Sequence, residues 1–240
     1  MSNEMIICIP GVWKSRKDLI EATAASTKGE YIFIGGVLFH PPGKDQVELE
    51  FCEPDHQMAR AFEIAGQGKL SKETLSKIKD HKSVVYVYFS LDILSQRPRL
   101  MKFTDALSRC GGIALKLENS GIAHEWERWF SLVGSDNPFD AYCASVVLIG
   151  DETHYYSSGM QCFGLPDAQI SKDLDSGSAA ELLNQFNYWR IVEKPNLDSG
   201  HTFSLTPDSS YFRVNSIADR RHHNDDLFHN RHGLWDLKQV

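Results

Sequence analysis

Two residues of the chain, His154 and Cys162, are of the types that carry nucleophilic catalysis. An imidazole can take the proton of a thiol, and the resulting thiolate is a strong nucleophile. The glycine spacing argues against this chemistry. A nucleophile elbow has a glycine two residues on either side of the nucleophile, whereas Gly159 precedes Cys162 by three. The stretch therefore favours a small buried thiol.

A second pair, His124 and Glu125 in "GIAHEWERW", could serve as an acid and a base. If this stretch is helical, adjacent side chains point about 100° apart and do not converge on one atom. The pattern favours an amphipathic helix that buries Trp126 and Trp129. No catalytic residue is assigned. The alternative function kept open is an enzyme of unknown reaction with a site near His124, Glu125, His154 and Cys162.

Histidines and aspartates are concentrated near the C-terminus, in "RRHHNDDLFHNRHGLW". On a helix, four of them would share one face at a spacing that suits a divalent cation: His222, Asp225, Asp226 and His229. The segment has neither the cysteines nor the HExxH pattern of established zinc motifs. The sequence therefore favours a polar, His-rich tail over residues 218–240, with no metal and no cofactor expected. A metal-binding protein is kept as a further alternative.

These residues must be positioned by a mixture of strands and helices. Apolar runs and alternation predict strands at residues 5–9, 31–39, 47–52, 84–89, 113–117, 144–149, 153–157, 202–205 and 211–214. Capping residues and helical periodicity predict helices that begin near Ser15, Asp55, Ser71, Pro98, Ser120 and Ser178. Because several strands are joined as hairpins, we expect an α+β fold with a largely antiparallel or mixed sheet and several packed helices. Residues 1–217 are expected to form a single domain.

The stretch "SSGMQCFGLPDAQI", residues 157–170, is too rich in glycine for a helix and too apolar for an ordinary loop. It predicts a structural corner between a strand and a Leu-Pro-Asp turn. Glycines would supply backbone angles that other residues resist, and large apolar side chains would fill the core beneath. The residues of this motif are Gly159, Met160, Phe163, Gly164 and Pro166.

Composition narrows the class of protein. The chain has 240 residues, a formal net charge of −7 and no apolar run near the roughly 18 residues of a membrane span. A nucleic-acid-binding protein needs a basic surface, so neither nucleic acid nor a membrane is an expected partner. Five scattered cysteines and a start without the pattern of a signal peptide lead us to expect a cytoplasmic protein with reduced thiols.

The corner stretch also carries a resemblance to a known family. Eight residues fit the pattern Thr/Ser-x-Gly-Met/Leu-x-x-Phe-Gly-x-Pro-Glu/Asp-x-x-Ile: Ser157, Gly159, Met160, Phe163, Gly164, Pro166, Asp167 and Ile170. Together with the order of elements over about residues 80 to 215, this pattern resembles an uncharacterised bacterial domain family similar to immunity proteins of type VI secretion and polymorphic toxin systems. Ser157 stands where the family more often has Thr, and Asp167 where it more often has Glu.

The resemblance implies a non-enzymatic immunity protein that binds a cognate toxin in the cytoplasm, and it implies no catalytic residues. The acidic balance suits a basic toxin such as a nuclease, because complementary charge speeds association. The toxin-binding candidates are acidic residues chosen for their sign and expected exposure: Glu125, Glu127, Asp167, Asp173, Asp175, Asp225 and Asp226. The sequence leaves the oligomeric state open.

Overall fold

The computed structural model describes residues 4–240, which form two β-sheets and seven α-helices. The strands of the first sheet are β1 (Glu4–Gly11), β2 (Ile32–Ile34), β3 (Val37–His40), β4 (Asp45–Cys52), β5 (Ser83–Ser90), β6 (Leu115–Leu117) and β7 (Ile122–His124). Those of the second are β8 (Val147–Gly150), β9 (His154–Ser158), β10 (Asp167–Ser171), β11 (Thr202–Phe203), β12 (Phe212–Ile217) and β13 (Leu234–Gln239). The helices are α1 (Arg16–Ser26), α2 (Met58–Ala65), α3 (Lys72–Lys79), α4 (Ile93–Arg109), α5 (Trp126–Val133), α6 (Pro138–Ser145) and α7 (Ser176–Glu193).

The first sheet has the strand order β2-β3-β4-β5-β1-β6-β7, and every neighbouring pair is antiparallel. Its inner face packs against α1, α4 and α5, where Leu19, Phe103 and Trp129 are fully or almost fully buried. Helices α2 and α3 cover part of the outer face, where Phe62 and Ile78 share a second cluster with residues of β1 and β5. One face of the sheet is therefore covered by helices and the other only in part.

The second sheet has the order β11-β12-β13-β10-β9-β8. Strands β10 and β13 are parallel, and the other pairs are antiparallel. Helix α7 buries Leu182, Leu183 and Phe186 against one face of this sheet, together with Val214 and Leu237. Helices and a mixed, mostly antiparallel set of strands confirm the predicted α+β class.

The stretch from Ser157 to Ile170 joins β9 to β10 through a short 3-10 turn at Met160–Phe163. Gly159 (φ +116°) and Gly164 (φ +70°) flank that turn in the left-handed region, which glycine adopts without strain. A Cβ atom on Gly159 would collide with the carbonyl oxygen of Ser145. Met160 is fully buried and Phe163 is half-buried beneath the turn. The stretch is a structural corner.

Residues 120–133 differ from the predicted single helix capped by Ser120. Ile122–His124 is instead strand β7, paired with β6, and α5 begins only at Trp126. The reason is that β7 forms by pairing with β6, and the spacing of apolar residues along the chain does not indicate such a pairing. Two boundaries also move. Helix α4 begins at Ile93, before Pro98, and helix α6 (Pro138–Ser145) includes the first two residues of the strand predicted at 144–149, so that β8 begins at Val147.

The C-terminal residues also differ from the prediction of a polar tail that begins at residue 218. Leu234–Gln239 is strand β13, which lies inside the second sheet between β12 and β10. Its apolar side chains, among them Trp235 and Leu237, belong to the core under α7. The polar residues 218–233 before β13 led to the prediction of a tail, although the strand that follows them is central in the sheet. Among residues 4–240, no helix is long and apolar enough to cross a membrane.

Candidate interaction surface

The residues proposed for nucleophilic and acid–base chemistry occupy environments that do not favour it. Cys162 is fully buried, and burial, aided by the charge of Asp167, raises the pKa of its thiol to about 12. His124 is also buried, and burial lowers its pKa to about 4 although its Nε2 lies 2.8 Å from the carbonyl oxygen of Ala144. At neutral pH the thiol is protonated and the imidazole is neutral.

The other two members of that set are held elsewhere. A carboxylate oxygen of Glu125 accepts a hydrogen bond from the backbone N–H of Ser71 at 2.8 Å, and this bond lowers the pKa of Glu125. His154 lies at the start of β9, with Nδ1 at 2.8 Å from the hydroxyl of Thr153. Over the described residues, no hydrogen bond joins any two of His124, Glu125, His154 and Cys162. The structure therefore gives no support to a shared site.

The four residues proposed for metal binding do not lie on a helix, because residues 218–233 form turns and irregular structure. His222 Nδ1 lies 3.7 Å from Asp226 Oδ2, and His229 Nδ1 lies 3.9 Å from Asp219 Oδ2. Asp225 is exposed. Within the part of the chain that the structure describes, no three His, Cys, Asp or Glu side chains are grouped as a metal site would require.

Asp167, a toxin-binding candidate chosen for expected exposure, is instead 3% exposed. Its Oδ1 accepts hydrogen bonds from the hydroxyl of Ser157 and the backbone N–H of Met160, both at 3.1 Å. Its Oδ2 accepts one from the side-chain amide of Asn230 at 2.7 Å. Burial raises the pKa of Asp167 to about 6 against these stabilising donors. The carboxylate ties the corner to the C-terminal segment and does not face a partner.

The remaining acidic candidates are distributed over separate elements. Glu127 is exposed on α5, and Glu125, described above, is half-buried just before that helix. Asp173 and Asp175 are exposed between β10 and α7, where Asp175 caps the helix by accepting bonds from Gly177 N and Ser178 N at 3.0 Å. Asp225 and Asp226 are exposed before β13. These elements are distant in the chain and belong to different parts of the fold.

A different surface arises from strand alternation in the first sheet. Phe33, Leu38 and Leu49 point to the buried inner face, so the residues between them point outward. Ile32 and Ile34 on the edge strand β2 are 45% and 68% exposed. We call seven of the outward residues of β2–β5 the outer patch: Ile32, Ile34, Val37, Phe39, Glu48, Glu50 and Tyr88.

The strand register makes the outer patch continuous. Ile34 is opposite Val37, Val37 is opposite Glu48, and Glu48 is opposite Tyr88. Side chains opposite each other on one face of a sheet lie about 5 Å apart. Helices α2 and α3 pack farther along this face, around Cys8 and Val84, and leave the patch exposed or half-exposed. The patch therefore combines apolar side chains with two carboxylates on one face of the sheet.

The charge of the outer patch is negative, because two of its seven residues are glutamates and none is basic. The hydroxyl of Tyr88 donates a hydrogen bond to Glu50 Oε2 at 2.8 Å. Burial and the neighbouring Glu50 raise the pKa of Tyr88, so the phenol stays a neutral donor. Glu48 is exposed beside it. Such a surface can hold the apolar stem of a Lys or Arg side chain and pair with its charge.

The sequence analysis missed Glu48 and Glu50, although it predicted the strand that carries them. The available signal was the alternation in "VELEF", which places glutamates on the opposite face from Val47 and Leu49. This alternation does not indicate which face of the sheet the helices leave exposed. Compared with families of proteins, with curated proteins and with solved structures, the chain matches none of them.

Proposed function

We propose that this chain is an immunity protein that binds and neutralises a cognate antibacterial toxin in the cytoplasm. The toxin is a basic protein of the kind delivered by type VI secretion, with a nuclease as the expected class. The observation that carries the proposal is the outer patch, an exposed sheet face with isoleucines on its edge strand β2 and two exposed glutamates on β4.

The composition of the outer patch supports a protein partner. Contiguous apolar patches on a protein surface often mark a contact with another molecule. Ile32, Ile34 and Phe39 would form the apolar part of the contact, and aromatic and aliphatic anchors of this type commonly dominate binding energy. Glu48 and Glu50 would set the preference for a basic partner and increase the association rate.

The chemistry described above supports binding over catalysis. The thiol of Cys162 is protonated and inaccessible, and the imidazole of His124 is buried and neutral. The exposed acidic side chains and the formal net charge of −7 favour an encounter with a positively charged protein. A toxin covered at its substrate-binding surface would be inactive without any reaction on the part of its inhibitor.

The proposal is tested with the product of the gene adjacent to the one encoding this chain. We expect co-expression to rescue cells from that product and the two proteins to purify as a stable complex. Loss of both rescue and complex formation with every adjacent gene product would contradict the immunity function.

The surface is tested with paired charge reversals. The double variant Glu48→Lys/Glu50→Lys is expected to abolish rescue and weaken the complex at least about tenfold, since two opposing charges become like charges. The matched control Glu127→Lys/Asp173→Lys makes the same charge change at exposed sites outside the outer patch. If the control loses binding and the patch variant keeps it, the toxin binds the originally predicted acidic residues instead.

A further inference from the structure

A cavity of about 310 Å³ opens between the start of α4, the corner and the end of α7. Leu94, Phe163, Leu165 and Trp235 contribute apolar walls. Three charged residues also line it: Asp92, Arg190 and Lys194. Its volume and its mostly apolar lining with a few charged groups are typical of sites for small organic molecules.

Arg190 is the unusual member of this lining, since only 3% of it is exposed. Its Nη1 donates to the carbonyl oxygen of Pro166 at 2.9 Å, and its Nη2 donates to Oδ1 of Asn187. The guanidinium also stacks over the ring of Phe186, at 4.5 Å from its centroid. All of these partners are neutral. No ion pair joins Arg190 to a carboxylate among residues 4–240, and its Nε has no hydrogen-bond partner there.

A structural role explains only part of this arrangement. The two Nη bonds fasten the corner to α7, and that alone would justify an arginine at this position. They leave a buried cation with no anion in contact, which is costly, because buried charges are normally paired. The charge of Asp167 acts on Arg190 and partly offsets the effect of burial, but the Asp167 carboxylate makes no ion pair with the guanidinium and accepts its hydrogen bonds from Ser157, Met160 and Asn230. Burial correspondingly lowers the pKa of Arg190 to about 9.

A second cation lies at the mouth of the same cavity. Lys194 is exposed and follows the last residue of α7 in the left-handed conformation, with φ +47°. Asp92, at the start of α4, is the carboxylate in the lining, so the cavity carries two positive groups and one negative group. An anion inside it would be attracted by the buried guanidinium in a low-dielectric setting and by an exposed ammonium group.

We propose that this cavity binds a small organic carboxylate. The carboxylate pairs with Arg190 and Lys194, and an aromatic or branched apolar body packs against Leu94, Phe163 and Trp235. The site is separate from the outer patch, which lies on the outer face of the first sheet, so the inference stands or falls independently of the immunity function.

The probes are three molecules that share one apolar body: 4-phenylbutyrate, 4-phenylbutyramide and 4-phenylbutylamine. Binding is followed by the shift of the Trp235 indole N–H in the NMR spectrum of the full chain. We expect 4-phenylbutyrate to give a saturable shift with at least about tenfold higher affinity than the amide, as a charge-assisted pair requires. We expect no saturable shift from the amine.

Substitutions distinguish the contribution of the positive charge to binding from that of the apolar cavity. Arg190→Met should remove most of the difference in affinity between 4-phenylbutyrate and the amide, with a smaller remainder due to Lys194, and should leave amide binding unchanged. Leu94→Trp should fill the cavity and abolish both. Lys79→Gln removes an exposed lysine of α3 as the control and should change neither. If Arg190→Met does not fold by circular dichroism, Lys194→Gln takes its place, with a smaller loss for the acid alone.

The proposal is overturned by any of three results. One is equal affinity of the acid and the amide for the unmodified protein. Another is the absence of a saturable Trp235 shift with the acid up to about 10 mM. The third is unchanged binding of 4-phenylbutyrate to Leu94→Trp, which would place the ligand outside the cavity.

Discussion

Both the outer patch and the buried cluster of Ser157, Asp167 and Asn230 place carboxylates on a face of a β-sheet, but only those of the outer patch are exposed. Glu48 and Glu50 are exposed to solvent on β4. Asp167 is buried on β10 and is held by three hydrogen-bond donors. An exposed carboxylate keeps its charge at little cost and can offer it to another molecule, whereas a buried one serves the fold. The charge of a side chain therefore does not distinguish these two roles, whereas its surroundings do.

We expect the largest effect from removing the buried carboxylate. Asp167→Ala leaves the donors from Ser157, Met160 and Asn230 without their acceptor in a buried site. We expect the free energy of unfolding to fall by about 4 kcal/mol, since each orphaned buried donor costs about 1–3 kcal/mol. Urea denaturation of the variant measures this. Asp173→Ala, at an exposed position, should change stability by less than about 0.5 kcal/mol. Equal effects of the two substitutions would contradict a structural role for Asp167.

The corner glycines offer a matched pair. Both Gly159 and Gly164 have positive φ, but an added Cβ would collide with Ser145 at Gly159 and would meet nothing within 4 Å at Gly164. We expect Gly159→Ala to cost about 3 kcal/mol of unfolding free energy and Gly164→Ala about 1 kcal/mol. Thermal unfolding of the two variants side by side gives the difference. A larger loss at Gly164 would mean that backbone angle, and not space, limits this corner.

The pH dependence of stability sharpens the contrast between buried and exposed carboxylates. The pKa of Asp167 is raised to about 6 in the folded state, so the folded protein binds its proton more tightly than the unfolded chain. Its contribution to stability is fully present below pH about 4 and is lost as the pH rises through about 6. The total change is on the order of 3 kcal/mol.

Asp167→Asn isolates this contribution from that of other groups. His124, whose pKa is lowered to about 4, acts in the opposite direction, because its contribution is lost as the pH falls from about 6.5 toward 4. Both proteins contain His124, so its contribution cancels when the free energies of unfolding of the native protein and Asp167→Asn are subtracted. We expect the native protein to lose stability relative to the variant between pH 4 and 6.5 in urea denaturation. A difference that does not change with pH would contradict the raised pKa.

The smallest expected effect concerns the outer patch. Ile34→Ala truncates a side chain that is 68% exposed, so stability should change by less than about 0.5 kcal/mol. If Ile34 anchors the toxin, affinity should fall about tenfold, as measured by isothermal titration calorimetry with the purified toxin. Ile64→Ala on α2 is the matched control, because Ile64 is 62% exposed and lies outside the patch. Equal affinities of the two variants would remove Ile34 from the interface.

Local signals predicted most elements of the fold and little of the candidate surface. The strand at 84–89 is β5, and Ser15 caps α1 with its hydroxyl at 3.2 Å from the backbone nitrogen of Asp18. The glycines of the corner have the backbone angles that their positions suggested. Each of these features depends on neighbours within a few residues. The outer patch depends instead on which sheet face the helices leave uncovered, and the acidic residues chosen from the sequence all lie elsewhere.

The sequence by itself determined the α+β class, the capped helices and the left-handed glycines, because the physics of each is contained in a short segment. Only the tertiary structure decided that β13 lies between β12 and β10, that Ile122–His124 pairs with β6, and that Asp167 is buried beside Asn230. These outcomes depend on contacts between residues far apart in the chain. Burial, and with it the pKa and the role of each carboxylate, is set by those contacts and not by the identity of the residue.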